Sequence, residues 1–204
     1  MWCFPLSTTL LLIRHASAGK QGIFCGHLDP PLTEEGRRQA ANLAASLAAY
    51  PAVALYSSDL LRARETADCL AAQWGIAVRE EASLREIAFG VWEGKSWDDI
   101  EREDLRYAQE WLRQFPMLST PGGEGFQEFC AHIRLTLEEI VEEIAGQAAA
   151  IVAHAGVIRV ALREMAEWTD TEAWAYPLPY CCRVELSCQD GRWSVIDGRQ
   201  ARFT

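Results

Sequence analysis

Thr9-Leu10-Leu11-Leu12-Ile13-Arg14-His15-Ala16-Ser17 is the stretch whose reading decides the fold. Leu10 to Ile13 are consecutive large aliphatics, a pattern that suits a short strand covered on both faces. Such a strand does not end in two adjacent cation-capable side chains unless they are wanted at its tip. In open α/β sheets the C-terminal tips of strands are where ligands bind. Arg14-His15 therefore sets an anion clamp beside an imidazole nucleophile.

Working outward, a second apolar run ends the same way. Ala148–Ala153 reads as a buried strand and runs into His154-Ala155-Gly156. Ala52–Tyr56 reads as another strand. Ser57-Ser58-Asp59 then caps a helix reaching about Trp74, with Arg62 in its first turn. Thr33, followed by Glu34 and Glu35, starts a helix that runs to about Tyr50. Ile76–Arg79 is a short strand. Glu124–Ile144 is a long amphipathic helix with Phe126, Phe129, Ile133, Leu137, Ile140, Val141 and Ile144 on one face. Gly156–Met165 is helical. Arg183–Ser187 and Arg192–Ile196 flank Asp190-Gly191, a strong hairpin signal. This alternation predicts an α/β fold: a three-layer sandwich with a mostly parallel sheet and helices on both faces, closed by an antiparallel hairpin. Residues 80–122 break the rhythm and carry Trp92, Trp97 and Trp111. Short helices are expected at Trp97–Glu103 and Tyr107–Phe115. The segment reads as a lid or insertion within one domain spanning 1–204.

The balance of 19 basic against 29 acidic residues, a net charge of −10, excludes a nucleic-acid partner, which would call for a basic face. A site for an anion must then be a local basic exception. No apolar stretch approaches the ~20 residues of a membrane span. Leu10–Ile13 followed by Ala16-Ser17-Ala18 imitates a signal peptide, but no Lys or Arg precedes Arg14, so a cytoplasmic protein is expected. Seven cysteines include no CxxC pair, which argues against both a disulfide framework and a zinc knuckle. Most read as small apolar fillers, and Cys3 as exposed.

In a parallel sheet the strand tips share one edge, so His15, His154, Arg14 and Arg62 can gather there. Two guanidinium forks match a phosphate's oxygens. Helix N-termini at Asp59 and Gly156 would add backbone N–H donors. An imidazole can attack phosphorus, and the departing alkoxide then needs a proton. Glu86, set among Leu84, Ile87 and Phe89, is the candidate donor, with desolvation expected to keep it protonated. His132 has no motif around it and reads as structural, and His27 as a loop residue.

Several pieces, in order, resemble the histidine phosphatase superfamily, also called phosphoglycerate mutase-like. They are Arg14-His15, Pro31-Leu32-Thr33-x-x-Gly36, Ser57-Ser58-Asp59-Leu60-x-Arg62-Ala63, Leu84-x-Glu86-x-x-Phe89-Gly90-x-Trp92-Glu93-Gly94, Pro121-Gly122-Gly123-Glu124 and His154-x-Gly156-Val157-Ile158-Arg159. The resemblance implies a metal-independent phosphomonoesterase working through a phosphohistidine on His15. It makes Arg14, Arg62 and His154 the phosphate pocket and Glu86 the acid and base. It also implies that Ser17, Cys25, Gly26, Ala155 and Gly156 border the substrate. No cofactor and no metal are implied; the partner is a small-molecule phosphomonoester, with neither nucleic acid nor membrane, and a homodimer is compatible. Within the family, Phe89-Gly90-x-Trp92-Glu93-Gly94 looks like the α-ribazole-5′-phosphate phosphatases of cobalamin assembly. The alternatives are a phosphoglycerate mutase or broad sugar-phosphate phosphatase on the same residues, or a non-catalytic phosphoprotein-binding module. Ala16 and Ala155 replace glycines usual in the family, and Gly125 stands where many relatives carry serine.

Overall fold

Strand β1 (Thr8–Arg14) sends Leu10 and Leu12 into one core and Leu11 and Ile13 into another. Side chains alternate across a strand, so a strand with two covered faces needs uninterrupted aliphatics. The computed structural model describes residues 8–197; Cys3 lies outside them. After β1 come α1 (Glu34–Ser46), β2 (Ala52–Ser57), α2 (Leu61–Trp74) and β3 (Val78–Glu80). Then follow α3 (Trp97–Gln114), α4 (Phe126–Ile144), β4 (Ala148–Ala153), α5 (Ala155–Glu164), α6 (Asp170–Ala175), β5 (Arg183–Gln189) and β6 (Arg192–Asp197).

The sheet runs β3-β2-β4-β1-β5-β6. β3, β2, β4 and β1 pair in parallel, whereas β5 and β6 are antiparallel. Helices α1 and α2 pack with Leu11, Ile13, Leu55 and Val152 on one face. Helices α4 and α5 cover Leu10, Leu12, Tyr56 and Ile151 on the other. Every apolar position expected on the face of α4 is buried. The β5–β6 turn holds Asp190 at φ 50° and Gly191 at φ 76°, the left-handed pair a two-residue hairpin requires. Cys130, Cys181, Cys182 and Cys188 are buried. No helix among the described residues is long and apolar enough to cross a membrane.

Several boundaries differ from expectation. α1 stops at Ser46 because Tyr50 folds back, its N–H donating to Leu47 O at 2.9 Å and its ring packing against Trp74. The third strand begins at Val78 rather than Ile76. The two short helices expected at Trp97–Glu103 and Tyr107–Phe115 are both present: α3 is two helical pieces meeting at Asp104, whose φ of −151° and ψ of 81° are not helical and whose carboxylate accepts the Tyr107 N–H at 2.9 Å. α4 starts two residues later than expected, at Phe126. The Ser57-Ser58-Asp59 cap is absent: α2 begins after Leu60 with no side-chain cap of its own, and Asp29, from a distant loop, accepts the Leu61 N–H at 2.6 Å. The 80–122 segment carries a small core of its own, in which Trp92, Ile100 and Ala108 are buried against Phe24, Trp97 and Trp111.

Candidate active site

β1 and β4 are neighbours, with Arg14 opposite Ala153. The next residue on each chain is a histidine, so the rings of His15 and His154 lie 5.1 Å apart between centroids. His15 is 7 % exposed. Its Nδ1 lies 2.8 Å from Ala16 O, so that nitrogen carries the proton and donates it, which leaves the Nε2 lone pair free. Burial, followed by the Arg62 and Arg14 guanidinium charges, pulls the His15 pKa down to about 3. The ring is thus neutral at any ordinary pH. His154 is fully buried, and burial and the His15 and Arg62 charges push it well below the usual histidine range. Its Nε2 lies 2.9 Å from Ser58 Oγ, while Nδ1 is buried with no partner among the described residues.

This makes stability fall in acid. The unfolded chain takes up a proton on His15 near pH 6.5, whereas the folded chain does so only near 3. Stability is therefore fully present above pH 6.5 and is lost as pH falls toward 3. His15 alone should cost about 2 kcal/mol between pH 7 and pH 5, with His154 acting in the same direction. Urea titrations at the two pH values measure this, and the loss should shrink in His15→Gln. Equal pH dependence in both proteins would contradict the buried neutral imidazole.

Two guanidinium groups flank His15. Arg14 stacks 4.2 Å from the Tyr180 ring centroid, donates through Nη1 to Leu178 O, and keeps a buried Nε with no partner among the described residues. Arg62 is 2 % exposed although its side chain is charged. It donates to Leu28 O at 2.6 Å and Gly26 O at 2.7 Å, and more weakly to Cys25 O at 3.4 Å. The N–H groups of that same loop meet Glu93. Its carboxylate accepts from Gly26 at 3.1 Å, His27 at 2.8 Å and Leu28 at 3.2 Å, and from Phe89 at 3.0 Å. A cation thus takes the carbonyls of residues 25, 26 and 28 and an anion takes the amides of residues 26, 27 and 28, so the loop's backbone is held without a sheet.

Glu86 lies beside Ile87, Phe89 and Phe129 on an apolar wall, and it also meets backbone amides. Its carboxylate accepts the Gly156 N–H at 3.0 Å and the Ile87 N–H at 3.1 Å. The expected anion donors at the two helix ends are therefore already engaged, Gly156 by Glu86 and Leu61 by Asp29. Asp59 pairs with Arg85, at 2.7 Å from Nε. A Cβ at Gly156 would stand 2.0 Å from Glu86 Oε1, so glycine is what lets the α5 backbone meet that carboxylate. His132 brackets the same loop from behind. Its Nδ1 lies 3.0 Å from Ser83 O and its Nε2 2.8 Å from Glu124 Oε1, and Glu124 Oε2 in turn accepts the Ala88 N–H at 3.4 Å. The hydrogen bond and charge of Glu124 raise the His132 pKa.

Arg14, His15, Cys25, Arg62 and Glu86 line one cavity of about 320 Å³. Ala155 and Gly156 line a second cavity, of about 180 Å³, which also touches Glu86. Ser17 and Gly26 are on neither wall. Ser17 O accepts the Thr33 N–H at 3.0 Å, and Gly36 packs where a Cβ would lie 1.9 Å from that oxygen. Sequence reasoning passed over Tyr180, Lys20 and Gln21, which line the first cavity, and Tyr180 donates to Gln21 Oε1 at 2.9 Å. None of the three belongs to a periodic element. Glu93 and Arg159 stood inside quoted motifs without a role.

Comparison with known proteins agrees with this geometry. The sequence pattern of the Histidine phosphatase superfamily (branch 1) matches residues 10–198. The adenosylcobalamin/alpha-ribazole phosphatase of Salmonella typhimurium (strain LT2) is 30 % identical over 190 residues, covering 92 % of this chain and 89 % of the relative. That of Escherichia coli (strain K12) is 29 % identical over 94 % of this chain and 90 % of its own length. Among solved structures, the alpha-ribazole phosphatase from Shigella flexneri superposes with a TM-score of 0.86 at 26 % identity, covering 94 % of this chain and 96 % of that one. A mycobacterial glucosyl-3-phosphoglycerate phosphatase gives 0.82 at 25 %, over 93 % and 97 %. This chain belongs to branch 1 of the histidine phosphatase superfamily and is a phosphatase acting on small phosphate esters.

Proposed function

We propose that the protein hydrolyses a phosphomonoester without a metal, through a phosphohistidine on His15, and that its substrate is α-ribazole 5′-phosphate. The observation that carries the reaction is the state of His15: neutral, buried, Nδ1 committed to Ala16 O, and flanked by the charges of Arg14 and Arg62. In the first step Nε2 forms a bond to phosphorus as the ester P–O bond breaks, and Glu86 gives its proton to the departing alkoxide. In the second, Glu86 takes a proton from water as the water oxygen bonds phosphorus and the N–P bond breaks. Arg14, Arg62 and His154 hold the phosphoryl oxygens. The buried, unpartnered Arg14 Nε and His154 Nδ1 support that role, because buried polar atoms are otherwise almost always satisfied. The likeness to the adenosylcobalamin/alpha-ribazole phosphatases of Salmonella and Escherichia supports the choice of ester.

The test compares α-ribazole 5′-phosphate, 3-phosphoglycerate, a fructose bisphosphate and an aryl phosphate at equal concentration, with and without EDTA. The ribazole ester should have the highest kcat/KM, and chelation should leave every rate unchanged. A preference for 3-phosphoglycerate, with exchange between its 2- and 3-isomers, would overturn the substrate assignment. Loss of activity in EDTA would overturn the mechanism.

A further inference from the structure

The cavity beside the phosphoryl site is built from different material. It shares Phe24, Glu86 and Phe89 with the His15 cavity, so the two meet at the proposed proton donor. Beyond Glu86 its wall is aromatic, with Trp111, Phe115, Phe126 and Trp174. The Phe115 ring stands edge-on to Trp111 at 4.9 Å and to Trp174 at 4.6 Å, joining the end of the 80–122 segment to α6. Phe115 is not core: it is 39 % exposed, an aromatic held open at the cavity's mouth. The Arg159 guanidinium lies 4.8 Å over the Trp174 ring, and its Nε is buried with no partner among the described residues.

We propose that this cavity receives the alcohol half of the ester and selects a flat, apolar ring system, which packs against Trp111, Phe115 and Trp174. The proposal rests on reading His15 and Glu86 as the phosphoryl centre. The ring walls favour the body of such a group, since aromatic pairs gain from edge and offset contacts beyond the area they bury.

Benzyl phosphate and glycerol 3-phosphate are both esters of primary alcohols, so they differ in ring rather than in leaving chemistry. 3-Phosphoglycerate adds a carboxylate. In the unaltered protein kcat/KM for the benzyl ester should exceed that for each of the others by about tenfold or more, the scale on which apolar pockets discriminate. The benzyl-to-glycerol ratio should fall toward one in Trp174→Ala and in Phe115→Ala, the second chosen because its ring is partly exposed and its loss should spare the fold. A ratio that is near one from the start overturns the proposal. So does a ratio that survives both substitutions, or a loss that is equal for both esters. If no ester is turned over, the phosphoryl-centre reading fails and takes this inference with it.

Discussion

His15→Gln should turn over no phosphate ester, with kcat/KM down by on the order of 10⁴ or more, the scale on which removing a covalent nucleophile acts. The amide cannot form the N–P bond, and no other nucleophile stands ready in the cavity. Cys25 lines it, but burial raises that thiol's pKa and so disfavours the thiolate. The variant should still fold. A glutamine amide can donate to Ala16 O as Nδ1 does, and the exchange removes a buried imidazole that costs stability in acid. It should also still bind inorganic phosphate, because Arg14, Arg62 and His154 are untouched. In the unaltered enzyme, label from a ³²P-ester should be found on His15 after a denaturing alkaline quench, and in His15→Gln it should be absent. Wild-type turnover in the variant would remove His15 from the mechanism. Loss of phosphate binding together with turnover would make it a structural residue.

What could be read beforehand divides along a physical line. β1, β2 and β4 were legible because a strand covered on both faces must be continuously apolar, and their ends stood out because Arg14-His15 and His154 broke that rule. The apposition of His15 and His154 followed from parallel pairing alone. The contacts that make the site rigid were not legible, because they join residues with no common period. Asp29 supplies the start of α2, Glu93 gathers amides from two loops, and Tyr180 arrives from an irregular stretch under Arg14. Only their side-chain types hinted at this, and a lone carboxylate in a loop is ordinarily solvated. α6 was missed although Thr169 and Glu172 form a capping box, a signal that is visible in sequence. The two backbone amides that Glu86 accepts from were not legible, because one of them, Gly156, comes from a helix seventy residues away, while the apolar neighbours Ile87 and Phe89 stand beside it in the chain.

Arg62→Ala should fail twice over, in stability and in catalysis, and the two failures have separate causes. The guanidinium donates to three carbonyls of the 25–28 loop. Removing it leaves the buried Gly26 carbonyl unsatisfied, at roughly 1–3 kcal/mol, and takes a donor from the part-exposed Cys25 and Leu28 carbonyls. It also leaves the half-buried Glu93 carboxylate holding the loop by its amides alone. A loss of about 2 kcal/mol in urea unfolding is expected. Activity should fall by roughly 10²–10³ beyond that, the cost of deleting a preorganised donor aimed at developing charge. Arg62→Lys separates the causes. It keeps a cation near His15 but cannot reach several carbonyls as a planar fork does, so the loop contacts should be lost while part of the rate is kept. The His15 pKa offers a readout that loop damage alone would not give. The Arg62 charge is the largest electrostatic cause of its depression after burial, so the imidazole should titrate at higher pH in Arg62→Ala than in Arg62→Lys. If NMR titration finds the same His15 pKa in both variants, Arg62 supports the loop but does not set the charge of the site.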